Sequence, residues 1–119
     1  MSEFSQSRLE AKILEGISSL IVSGAIKNHN LSTLTSVTRV ELSPDNAAAK
    51  VYVSSFYEDG RLDRSVKALN QASAFIQARL ASILRTKNTP VLTFYRDDSY
   101  AEGERVNNLI SEAMKEINE

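Results

Sequence analysis

The 119-residue chain has no cysteine and no tryptophan, a single histidine, two prolines and four glycines. Without cysteine, disulfide and thiolate chemistry are excluded, and a cytoplasmic home fits. The single histidine, His29, lies in a polar connector, so no histidine-based metal cluster or serine triad can be assembled. Gly16, Gly24, Gly60 and Gly103 do not cluster, which leaves no glycine-rich phosphate loop and no Walker pattern. The apolar runs are a few residues long, far short of the roughly 20 needed to cross a bilayer. Met1-Ser2-Glu3-Phe4 lacks the charged and apolar regions of a signal peptide. The adjacent carboxylates Asp97 and Asp98 would point to opposite faces of a strand, an arrangement unsuited to a shared proton. These absences point away from catalysis. No cofactor, metal or small-molecule substrate is expected, and the chain reads as a monomeric binding protein.

What is present is ordinary in amount and uneven in placement. An apolar content of 42% with 24% charged residues suits a soluble globular protein. The length suits one core, hence one domain over residues 1–119 with its centre at about 5–96. The net charge of −1 conceals a separation. Between residues 61 and 87, six cations (Arg61, Arg64, Lys67, Arg79, Arg85 and Lys87) face Asp63 alone. From residue 97 onward seven acids, including Glu102, Glu104, Glu112 and Glu116, outnumber Arg105 and Lys115. Such asymmetry steers a polyanion to the middle of the chain; on charge alone, a solvated helix surface would look the same.

Periodicity sets the elements. Leu9, Ile13, Ile17, Leu20 and Ile21 recur at helical spacing and predict a helix over 5–23, with Gly24 where a C-terminal glycine is expected and a prolongation through Ala25-Ile26-Lys27 as the alternative. Residues 35–42 are rich in β-branched side chains, with Thr38, Val40 and Leu42 expected on one face and Arg39 and Glu41 on the other. Ser43-Pro44-Asp45-Asn46 is a turn. Residues 47–55 return as a strand, with Ala49, Val51 and Val53 inward and Lys50, Tyr52 and Ser54 outward. Val66, Leu69, Ile76, Leu80, Ile83 and Leu84 mark a helical block over 64–86, and Asn88-Thr89-Pro90 closes it. A strand at 91–96 and an amphipathic helix at about 100–118 complete the order α-β-β-α-α-β-α. Three strands are best stabilised as a sheet with helices on one face, an α+β architecture. Composition alone forces no break at Ala72-Ser73-Ala74, since alanine is the best helix former. Among the aromatic residues, Tyr52 and Tyr95 fall on a sheet face, where they serve either packing or base stacking; binding through backbone shape and phosphate charge suits this composition better.

Several segments, taken in order, resemble the ribosome-binding factor A family of bacterial small-subunit assembly factors. They are Ala49-Lys50-Val51-Tyr52-Val53-Ser54, the run from Lys67 to Ile76 through Ala72-Ser73-Ala74, and Arg85-Thr86-Lys87. Pro90-Val91-Leu92-Thr93-Phe94-Tyr95 and Asp97-Asp98-Ser99, with Gly103 and Arg105, complete the match over about residues 8–110. The resemblance implies a KH-like (type II) fold in which a kink replaces the usual loop between two helices. It also implies binding to small-subunit ribosomal RNA late in maturation, near the decoding-centre neck, and a part in growth at low temperature. The chain departs from the family in placing Ala74 at the kink glycine, Asn28-His29-Asn30 at a usual Asp-Pro-Arg, and Gln77 at a usual arginine. An alanine held at positive φ would cost roughly 1 kcal/mol and flatten the corner.

The expected contacts follow. Arg8 and Lys12 on the first helix, with Lys67, Arg79, Arg85 and Lys87 around the helix pair, would meet phosphates. Ala72, Ser73 and Ala74 would set the corner and offer backbone or hydroxyl donors. The alternative is a protein-docking module that uses the acidic last helix or the outer sheet face (Arg39, Glu41, Lys50, Tyr52) for a ribosomal protein or for self-association.

Overall fold

A computed structural model of the chain describes residues 3–32, 34–55, 60–85 and 88–98. Six elements follow in the order α1 (Glu3–Val22), β1 (Thr35–Leu42), β2 (Ala48–Ser55), α2 (Arg61–Gln71), α3 (Ser73–Leu84) and β3 (Val91–Arg96). The order agrees with the periodicity of the sequence. The helix expected at 100–118 lies outside the described residues.

α1 buries Ile13, Ile17, Leu20 and Ile21, the stripe its spacing prescribes. Its end is a Schellman motif. Gly24 adopts φ +74°, its N–H donates to the Ile21 carbonyl, and the Ala25 N–H donates back to Leu20. That reversal turns the chain so that Ile26 enters the core.

β1 and β2 form an antiparallel pair, and β3 lies parallel to β2 at the other side, giving the sheet order β1-β2-β3. Joining parallel neighbours requires a crossover, which α2 and α3 supply. Ala49, Val51 and Val53 of β2 and Leu92 and Phe94 of β3 face inward, as alternation predicts. β1 departs from it. Val37 pairs with Val53 and Arg39 with Tyr52, so Thr38 is an extra residue in a bulge. The inward set is therefore Thr35, Val37 and Val40, and Thr38 is exposed, donating to the Tyr52 carbonyl at 3.2 Å. Strict alternation placed Thr38 inward because it cannot register an inserted residue.

The described helices cover one face only. Helix and inward strand residues form a single core cluster. α1 and α3 cross at Gly16, where an added Cβ would stand 2.7 Å from Leu80 Cδ2. This glycine is kept for closeness of approach. Three side chains then fasten the helix pair, two to the outer edge of β3 and one to the segment that leads into it. Phe94 N–H donates to Asn70 Oδ1 at 2.8 Å, and Asn70 Nδ2 donates to the Phe94 carbonyl at 3.0 Å. Ser73 Oγ donates to the Leu92 carbonyl at 2.7 Å and Gln77 Nε2 to the Thr89 carbonyl at 2.9 Å. Asn70 thus presents β3 with the donor and acceptor of a missing strand, and an edge open to foreign strands is closed.

Candidate nucleic-acid interface

The corner between α2 and α3 is a single residue. Ala72, at φ −93° and ψ 7°, closes one helix and opens the next. Its N–H is shared between the carbonyls of Ala68 and Leu69, and its carbonyl accepts from Ile76 N–H at 2.9 Å. Ala74 lies within α3, and the only described non-glycine residues at positive φ are Asn46 and Arg85. The expected penalty for alanine in place of the family's glycine is therefore absent, because the break precedes it. Ser73 also differs from expectation. Its hydroxyl proton is directed inward to β3 and not outward to a ligand.

A hollow of about 290 Å³ lies against this corner, walled by Ile26, Lys27, Asn28, Gln71, Ala72 and Phe75. The segment that follows the Gly24 reversal forms its second wall, and Asn28 Nδ2 reaches Gln71 Oε1 at 3.4 Å. Lys27 therefore belongs to the corner, although the sequence reading did not include it. The signal was Gly24 itself, since a Schellman ending sends the chain back over its own helix. Phe75 is 45% exposed, and the Arg79 guanidinium sits 5.9 Å from its ring centroid. Lys67 is exposed on α2, one turn ahead of Gln71.

The other candidate cations lie further along the helices. Lys12 is exposed one turn ahead of Gly16, which packs on Leu80 and Ile83; Arg85, exposed at φ 54°, follows two residues after Ile83. Lys12 and Arg85 thus flank the α1–α3 crossing. Arg8 is exposed one turn nearer the N-terminus, towards the end of α1 where Gln6 bonds the β1–β2 turn through the Ser43 carbonyl at 2.8 Å. Lys87 lies outside the described residues. The structure therefore brings Lys67, Ala72, Ser73, Ala74 and Arg79 to the corner, sets Lys12 and Arg85 by the crossing, and leaves Arg8 at the far end.

Acids on this side are few and partly engaged. Asp63, the lone acid of the basic segment, bonds Arg96 Nη1 at 2.6 Å. That hydrogen bond is the main cause holding the Arg96 pKa above its ordinary value. Glu10 accepts the Leu42 N–H at 2.8 Å, and Glu15 is exposed. Gln77, where the resemblance leads one to expect an arginine, donates to the Thr89 carbonyl. Among the described residues no cluster of His, Cys, Asp and Glu could hold a metal ion. No described helix is long and apolar enough to cross a membrane. The arrangement presents cations about a single-residue corner, groups suited to a phosphate backbone, beside an exposed ring.

Residues 5–110 match the family model described as ribosome-binding factor A. A ribosome-binding factor A from Treponema denticola is 47% identical over 112 residues, spanning 93% of this chain and 85% of that protein. One from Borreliella burgdorferi is 42% identical over 103 residues, spanning 87% and 86%. The crystal structure of ribosome-binding factor A from Thermus thermophilus matches with a TM-score of 0.63 at 30% identity, over 76% of this chain and 93% of that one. A homology model of the Thermus thermophilus factor, fitted into a cryo-EM map of its complex with 30S, matches at 0.62 and 30% identity, over the same 76% and 93%.

Proposed function

The chain belongs to the ribosome-binding factor A family, and from that membership we propose that it binds the small ribosomal subunit and its RNA and assists late maturation without catalysis. The observation that carries this reading is the relatedness over most of the chain, joined to a helical layer whose exposed cations gather about the Ala72 corner and the α1–α3 crossing. Lys27, Lys67 and Arg79 would contact phosphates at the corner, with Lys12 and Arg85 along the crossing. Ala72 and Ala74 supply bare surface that lets a backbone approach. The complex of 30S with the Thermus thermophilus factor supports the choice of partner. Work on RNA processing in the cytoplasm, and a contribution to growth in the cold, are part of the same proposal.

Co-sedimentation of the full chain with immature and mature small subunits, at two salt concentrations, tests the reading. Preferential binding to immature particles, weakening steeply with salt, is expected. A chain that ignores naked small-subunit RNA yet still joins particles would be a protein-docking module instead.

A further inference from the structure

The sheet face turned away from the helices carries chemistry that the proposed phosphate contacts leave unused. Pairing across the strands places Arg39, Tyr52 and Tyr95 in one row and Glu41, Lys50 and Thr93 in the next. The Arg39 guanidinium lies over the Tyr52 ring, 4.3 Å from its centroid. The Tyr52 and Tyr95 rings sit 5.8 Å apart at 32°, and Tyr95 is 41% exposed. Two neighbouring tilted rings, one of them under a guanidinium, form an aromatic surface with a cation at one end. Next to Tyr95 is a hollow of about 450 Å³, with Glu41, Pro44, Lys50 and Thr93 among its walls. Its volume lies within the range of about 300–1,000 Å³ typical of small-ligand pockets.

From this geometry we infer that the open sheet face stacks an unpaired base of single-stranded RNA, with Tyr95 as the principal platform and the adjoining hollow receiving the base edge. The inference rests on the reading of the chain as an RNA binder and adds a second site on the opposite surface. Charge argues for bases over phosphates here. Arg39 is paired with Glu41 at 3.3 Å, and Lys50 stands opposite Glu41 in the sheet, so the row offers little net positive field. It offers ring faces, an ammonium donor, a carboxylate acceptor and a hydroxyl of either kind, the groups that read a base edge. Aromatic rings on a sheet are a recurrent platform for splayed RNA bases.

The test uses the full chain and a single-stranded oligoribonucleotide carrying 2-aminopurine, beside the same sequence as a duplex. Quenching of the probe on binding and a preference for the single strand are expected. Tyr95→Leu should weaken single-strand binding roughly ten-fold or more, with the salt slope unchanged, and Tyr95→Phe should retain affinity. An unquenched probe, equal affinity for the duplex, or parental affinity in Tyr95→Leu overturns the inference. If the parent still binds small-subunit RNA in that case, only the stacking site fails. If the parent binds neither RNA, both readings fail.

Discussion

On the helical side of the sheet, Lys12, Lys27, Lys67, Arg79 and Arg85 are exposed, and one of the few acids there, Asp63, is turned to Arg96. On the open side each described cation has a carboxylate partner or neighbour: Arg39 has Glu41, and Lys50 stands opposite Glu41. The surfaces differ in what they can bind, although the net charge of −1 distinguishes neither. A polyanion responds to local field, so the helical layer suits phosphates and the sheet face suits rings. Whole-chain charge is a poor guide when cations gather on one layer and paired charges on the other.

The largest expected effect breaks this contrast directly. Lys67→Ala combined with Arg79→Ala should reduce the slope of log affinity against log salt for small-subunit RNA by about two, one per phosphate contact. Arg39→Ala on the open face should leave the slope as it is. Filter binding across a salt series checks both, and equal losses would mean that the surfaces are not distinct.

A second variant acts at the seam between the layers. Asn70→Ala removes both bonds to Phe94 and should cost about 2 kcal/mol in urea unfolding, at roughly 1 kcal/mol per hydrogen bond. It should also raise self-association, seen by light scattering, because the edge of β3 is uncovered. A smaller loss is expected for Gly16→Ala. Its methyl meets the buried Leu80 side chain at 2.7 Å, an overpacking worth about 1–3 kcal/mol that a helix-propensity gain of about 1 kcal/mol partly offsets.

The smallest effect is at the β1–β2 turn. The Ser43 hydroxyl and the Ala47 N–H both donate to Asp45, and these bonds, the Ser43 one foremost, hold its carboxyl below the usual carboxylate value. A carboxylate depressed in the folded state adds stability above its unfolded pKa, about 3.9, and that stability is lost as pH falls through the folded value. An NMR titration should place Asp45 below a reference aspartate. Asp45→Asn should flatten the acid limb of the stability curve.

Much of this architecture was legible in the residues. Isoleucines at helical spacing and alternating valines announce α1 and β2 because burial rewards one face of each. The bulge at Thr38 was not, since period-two reasoning carries no marker for an inserted residue that is polar and at home on either face. The break at Ala72 was foreseen only through resemblance. Alanine favours continuation, and what accompanies the break is a set of bonds from Asn70 and Ser73 to a strand about 20 residues away. For the candidate interface, Lys67, Arg79 and Lys12 followed from charge and position, whereas Lys27 entered through the path of the chain after Gly24. The neighbouring tyrosines depended on parallel pairing of β2 and β3, and local pattern does not determine register between strands so distant in the chain.

The single-residue corner at Ala72 also acts as an index. Each residue added to or removed from a helix turns everything beyond it by about 100°. A one-residue insertion after Ala72 would swing Phe75 and Arg79 around the barrel of α3 and carry Gln77 away from the Thr89 carbonyl it now bonds. The length of this joint therefore sets the azimuth of every charge downstream, so changes of residue there are far easier to absorb than changes of count.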